Sequence, residues 1–182
     1  MTPDHCKALG RYNRWMNERI YAAAAQLTDD ARKQDRGAFF KSIHATLNHI
    51  LLADRVWMGR FTGAALEGDA MGPGGIRALD QELYEGFEEL RAERARTDEE
   101  IAQWVATLDA QRLVGEVRFL RKGVANAFPL WWGVAQLFNH QTHHRGQVTT
   151  LVMQAGCDPG VTDLIAMLRS EAAAASTERG ER

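Results

Sequence analysis

Apolar positions recur along most of this chain with the three-to-four-residue spacing of helices that bury one face, interrupted by short polar or glycine-containing breaks. After Pro3-Asp4, the stripe Leu9, Tyr12, Trp15, Met16, Ile20 and Ala23-Ala24 predicts a helix ending near Thr28-Asp29-Asp30. A second stripe, Phe39, Ile43, Leu47, Ile50, Leu51, Val56 and Met58, predicts a helix from about Gly37 to Arg60, which the glycine-rich stretch Thr62 to Gly75 then breaks. From Leu79 through Leu108, the positions Leu83, Phe87, Leu90, Ile101, Trp104 and Val105 stand in a background of Glu and Arg that favours helix. Thr97 followed by Glu100 has the spacing of a capping box, so this third helix is either continuous or divided there.

Between Leu113 and Phe128 the period changes. Val114, Val117 and Phe119 alternate with polar neighbours, and Lys122-Gly123 reads as the turn of a short β-hairpin. Pro129 suits the first position of a fourth long helix, Leu130 to Met153, closed by Gly156 with Pro159-Gly160 beyond. Thr162 is the expected cap of a short C-terminal helix through Leu168. The expected fold class is all-α: a four-helix bundle with a hairpin before the last long helix, in one domain over residues 1–170, followed by an Ala-rich charged tail over 171–182.

Composition narrows the setting. The 182 residues are 45% hydrophobic and 25% charged, enough for one core in a globular domain. Asp54, Arg55, Gln136 and Asn139 interrupt the apolar stretches before the roughly 20 residues needed to cross a bilayer, and Met1-Thr2-Pro3-Asp4-His5 is no signal-peptide core. Cys6 and Cys157 form no Cys-x-x-Cys pair, so a reducing, cytoplasmic location without membrane attachment is expected. A formal charge of -2, with no basic run longer than Arg121-Lys122, gives no footprint for nucleic acid.

The candidate chemistry lies in histidines. On a helix, His140 and His144 share a face with Cβ atoms roughly 6 Å apart and can point at one ion, whereas His143 cannot point with them. Gly133, Leu137, Val148 and Leu151 lie on the same face, which should turn inward, where two unpartnered imidazoles would be costly. The alternative is a pair of ordinary helix histidines. His49 has Ala45, Leu52, Ala53 and Val56 around it. It is either a third ligand or a buried imidazole bonded to a carbonyl or to Tyr12. His44 is expected near the surface.

Other chemistries fail on particular residues. Gln141 stands where His-Glu-x-x-His peptidases carry their general base, and an amide accepts no proton at neutral pH. There is no Gly-x-Ser-x-Gly, and Gly72-Pro73-Gly74-Gly75 lacks the Lys-Ser/Thr of a phosphate loop. Among supporting residues, Gln147 either orients His144 or is a solvated polar side chain, and Asn48 and Asn139 suit interhelical hydrogen bonds; Trp57 reads as a core or interface aromatic and is the best placed of the tryptophans for a pocket wall. Gly146 suggests close packing below the site, and Arg145 suggests a pair with a carboxylate such as Asp54 in preference to an anionic substrate. Trp131 and Trp132 read as core or interface aromatics and, with Phe128 and Leu130, form a dense apolar group.

Three segments together carry a resemblance: Tyr12-Asn13-Arg14-Trp15-Met16-Asn17, then Leu47-Asn48-His49-Ile50-Leu51-Leu52-Ala53-Asp54-Arg55-Val56-Trp57, then Phe138-Asn139-His140-Gln141-Thr142-His143-His144-Arg145-Gly146-Gln147. With Gly156 to Leu164, they make nearly the whole chain resemble the DinB family of DinB/YfiT-like metalloenzymes. The resemblance implies a bundle with a long crossover, one divalent metal ion per chain (Zn, Ni or similar), and a homodimer. Carried over residue by residue, the implied metal ligands are His49, His140 and His144. Relatives in the wider superfamily include transferases and isomerases that use bacillithiol or mycothiol, which implies a low-molecular-weight thiol as a further partner. The expected function is therefore a metal-dependent thiol transferase or hydrolase acting on a small molecule at an open metal position. The alternative is a non-catalytic metal-binding or stress-related interaction protein, with that position filled by a side chain.

Overall fold

The computed structural model describes residues 1–63, 78–121 and 124–180. Its elements are α1 (Pro3–Ala25), α2 (Asp29–Lys33), α3 (Ile43–Thr62), α4 (Phe87–Ala106), α5 (Ala110–Val114), β1 (Glu116–Arg121), β2 (Val124–Pro129), α6 (Leu130–Gln154) and α7 (Leu164–Gly180). The four long helices α1, α3, α4 and α6 form the bundle. Both α1 and α3 pack against α4 and α6, so the consecutive helices α1 and α3 lie across a diagonal. No helix among the described residues is long and apolar enough to cross a membrane.

Helix starts follow capping chemistry. Thr2, Thr28, Ser42 and Asp109 each accept the backbone N–H three residues on, from His5, Ala31, Ala45 and Arg112 respectively. Each such cap contributes about 1 kcal/mol. Thr28 therefore starts the separate turn α2, after α1 has ended at Ala25, and Asp109 starts α5; periodicity predicted neither short helix. Helix α3 begins at Ile43 rather than near Gly37, because Lys41 has a left-handed φ of 65° and Ser42 is extended. It ends at Gly63 with φ 71°. The expected break over Thr62 to Gly75 and the Lys122-Gly123 turn lie largely or wholly outside the described residues.

Helix α4 is continuous and begins at Phe87, not Leu79. Thr97 caps nothing: its hydroxyl donates to the Glu93 carbonyl one turn back. The hairpin forms as expected, antiparallel, with Glu116 opposite Pro129 and Arg121 opposite Val124. Gly156, with φ 87°, follows α6 as its stop signal. The last helix starts after Asp163 rather than Thr162 and runs through Gly180 instead of fading after Leu168.

The interior has two apolar clusters. One gathers Ile20, Leu47, Leu51, Leu90, Val148 and Val152, and the other Cys6, Phe61, Ile101, Val105, Val134 and Leu137. Between them, at the waist of the bundle, every long helix contributes buried polar groups: Asn13 and Asn17, Asp54, Arg94 and Asp98, Gln141 and Arg145. Arg94 donates to Asp54 at 2.6 Å and lies 2.9 Å from Asp98. Asn13 and Asn17 each donate to Asp98 at 2.9 Å, and Gln141 donates to Asp54. Arg145 does not pair with Asp54 directly but donates to the Asn13 carbonyl and side chain at 3.1 and 2.9 Å. Burial pushes the Asp54 carboxyl up to about 6, against the pull of Arg94.

Close helix approach is set elsewhere than expected. A Cβ on Gly133 would lie 2.6 Å from the Phe61 ring, and one on Gly10 would lie 2.9 Å from Val105. Gly146 is exposed, with nothing near where a Cβ would stand, so it does not pack under the site.

Removing Arg94 leaves the buried carboxylates of Asp54 and Asp98 without the cation that contacts both. Arg94→Met is expected to cost about 3–5 kcal/mol of unfolding free energy. Urea denaturation measures it, and a loss below about 1 kcal/mol, the level of an exposed pair, would show that the belt is not energetically buried.

Candidate metal centre

His49 projects from the middle of α3, and His140 and His144 project from successive turns of α6. Their ring centroids lie 5.1 Å (His49–His140), 4.6 Å (His49–His144) and 4.3 Å (His140–His144) apart. One ligand atom from each of the three lies within 4.8 Å of the others. The Nε2 atoms of His49 and His140 are 3.2 Å apart. Two imidazoles bound at about 2.05 Å to a tetrahedral ion would place their nitrogens about 3.3 Å apart, so this spacing fits a shared cation.

Hydrogen bonds select the atoms turned inward. His49 Nδ1–H donates to the Leu79 carbonyl at 2.7 Å, and His144 Nδ1–H donates to Gln147 Oε1 at 2.8 Å. With those protons on Nδ1, both neutral rings carry their lone pair on Nε2. His140 Nδ1 is buried without a partner, which leaves its Nε2 as the ring atom engaged at the centre. The carbonyl alternative for His49 is thus realised at one nitrogen, while the other faces the cluster. Tyr12 is not its partner, because that hydroxyl donates to the Thr162 carbonyl at 2.6 Å.

Electrostatics keep the rings neutral. Burial lowers the His49 and His144 pKa values, opposed by their bonds to Leu79 and Gln147. Burial, reinforced by the neighbouring histidines, takes His140 down to about 3. Three neutral imidazoles form a donor set for borderline divalent ions such as Zn or Ni.

Several neighbours differ from expectation. Phe40 rather than Trp57 lies against the imidazoles, and Trp57 keeps its core reading: Phe40 stacks on His49 at 3.9 Å between centroids and stands edge-on to His144 at 5.6 Å. Trp57 instead turns toward Phe61 and Phe128. His44 is fully buried rather than near the surface, its Nε2 bonded to the Tyr84 carbonyl at 2.9 Å. Asn48 accepts the Leu83 and Tyr84 N–H groups, whereas Asn139 is exposed. Gln147 orients His144 as expected, and His143 lies exposed on another face.

The His140 shift has a defined pH signature. A histidine with a lowered folded-state pKa adds stability that is present above about 6.5 and is lost as pH falls, since the unfolded chain then binds a proton the folded chain refuses. In buffer containing a chelator, wild-type protein should therefore lose unfolding free energy between about pH 6.5 and 3 more steeply than His140→Ala. Parallel stability–pH curves for the two proteins would contradict the shift.

Comparison with known proteins adds family to geometry. The sequence model of the DinB family matches residues 3–180. Protein DinB of Bacillus subtilis (strain 168) is 27% identical over 169 residues, spanning 88% of this chain and 91% of that protein. The crystal structure of a DinB-like protein from Bacillus cereus ATCC 10987 superposes with a TM-score of 0.58 at 23% identity, covering 80% of this chain and 90% of that one. At that identity, the likeness speaks for the shared fold. With nearly its whole length matched and a helical bundle in common, the chain belongs to the DinB family.

Proposed function

We propose that this protein binds one divalent metal ion per chain through His49, His140 and His144 and is a cytoplasmic, metal-dependent thiol transferase or hydrolase. The observation that carries the reading is the convergence of the three imidazoles from α3 and α6, where burial favours their neutral forms. When bound, an ion with three neutral ligands supplies concentrated positive charge that polarises an oxygen or sulfur donor and lowers its pKa. The chain's own part is to aim three lone pairs, hold two tautomers through Leu79 and Gln147, and cover the rings with Phe40. Cys6 and Cys157 are buried and lie outside the cluster, so a reacting thiol comes from a small molecule.

Metal analysis of untagged protein purified without chelators tests the reading. We expect one equivalent of metal in the wild type and none in His49→Ala, His140→Ala or His144→Ala. Gln147→Ala should weaken binding roughly 10–100-fold by freeing the His144 ring. Full metal content in His144→Ala would remove the triad. In the cobalt-substituted protein, low-molecular-weight thiols should produce a thiolate charge-transfer band. A spectrum unchanged at millimolar thiol would favour the non-catalytic metal-binding alternative.

The reading includes a homodimer. Trp131 and Trp132 at the start of α6 are 41% and 53% exposed, and Leu120 and Val124 at the far end of the hairpin are also exposed, apolar groups that a second copy of this chain would cover. Light scattering should give twice the 20.4 kDa chain mass, and Trp132→Glu should return the single-chain value.

A further inference from the structure

Among the described residues, Lys41 is the one non-glycine residue with a positive φ, at 65°. Lysine has no intrinsic preference for that region, and such conformations persist where the surroundings over-determine them. Here they do. The Lys41 N–H donates to the Ala38 carbonyl at 2.8 Å, and the Lys41 carbonyl accepts from Arg36 N–H at 2.8 Å. Gly37, itself at φ 70°, donates its N–H to Asp35 at 2.9 Å, and the Arg36 side chain donates to the Ala31 carbonyl at 3.0 Å. The result of this turn is the placement of two adjacent rings. Phe40 is buried on His49 and His144, and Phe39 stands edge-on to Phe40 at 4.8 Å with 84% of its surface exposed.

A second apolar side chain is exposed at the other contact of His49. Leu79, whose carbonyl holds His49 Nδ1, is itself 62% exposed. Two large apolar groups thus stand in water on the two segments that touch this one imidazole, where burial against a ligand would be favourable. We propose that the turn over residues 37–41 is the specificity wall of the histidine site, in which Phe40 positions His49 and His144 and Phe39, aided by Leu79, contacts an apolar or aromatic group of the substrate. The substrate class is then a small molecule that offers a metal-coordinating donor at one end and a hydrophobic substituent beside it.

The inference rests on the metal reading above, and its test separates the two. Imidazole and 4-phenylimidazole share a donor and differ by an apolar ring. Titrated into the cobalt-loaded full chain, 4-phenylimidazole should bind about tenfold tighter, the scale expected for burying part of a phenyl group. Phe39→Ala should bring that preference close to unity, with cobalt content and imidazole affinity unchanged. Phe40→Leu should change the cobalt ligand-field spectrum, and Phe40→Tyr should restore it, a signature that simple loss of stability would not give. If the wild type takes up no cobalt, the metal reading falls and this inference falls with it. If cobalt binds but the phenyl preference is absent, or survives Phe39→Ala, the wall assignment alone is overturned.

Discussion

The buried charge belt at the waist sets the terms for the rest of the bundle. Taking a carboxylate or guanidinium out of water costs several kcal/mol, and only close, well-directed partners offset it. Asp54, Arg94, Asp98 and Arg145 balance in charge, and their partners come from all four long helices. A helix that slid by one turn would leave a buried charge unpaired, which apolar packing on its own penalises far less. The belt therefore specifies helix register, and the apolar clusters above and below supply most of the burial.

That register also sets the height of the histidine cluster. Asp54 lies five residues beyond His49 on α3, and Gln141, which donates to Asp54, lies between His140 and His144 on α6. The hydrogen bond from Gln141 to Asp54 brings the two helices level at the point where the three imidazoles meet. Finer aim then comes from two local bonds, to Leu79 and Gln147, and from the Phe40 ring. Helices set position, and the segments beside them set tautomer and orientation.

Periodicity carried the four long helices, the hairpin and the pairing of His140 with His144, because each depends on residues close in sequence. What it missed depends on distant partners or on single backbone angles. Leu83 fits a helical stripe, yet its N–H and that of Tyr84 go to Asn48, so α4 starts only at Phe87. Phe39 fits the stripe of α3, but the positive φ of Lys41 turns it out to solvent and seats Phe40 on His49. His44 is buried because the Tyr84 carbonyl, forty residues on, accepts its proton. The short helices α2 and α5 offer no sequence signal beyond their caps, Thr28 and Asp109, because five residues are too few to show a period.

Gln141 shows how the belt constrains chemistry as well as shape. In sequence it marks a missing general base, but in the fold it faces away from the imidazoles and into the waist, fully buried against Asp54. A carboxylate there would add a third buried acid beside Asp54 and Asp98, raising the cost of all three and withdrawing the donor that Asp54 uses. A glutamate at this position would thus disrupt the belt without reaching the histidine cluster. Any group that accepts or delivers a proton at the proposed metal centre must therefore come from outside the waist, since position 141 is turned away from the imidazoles.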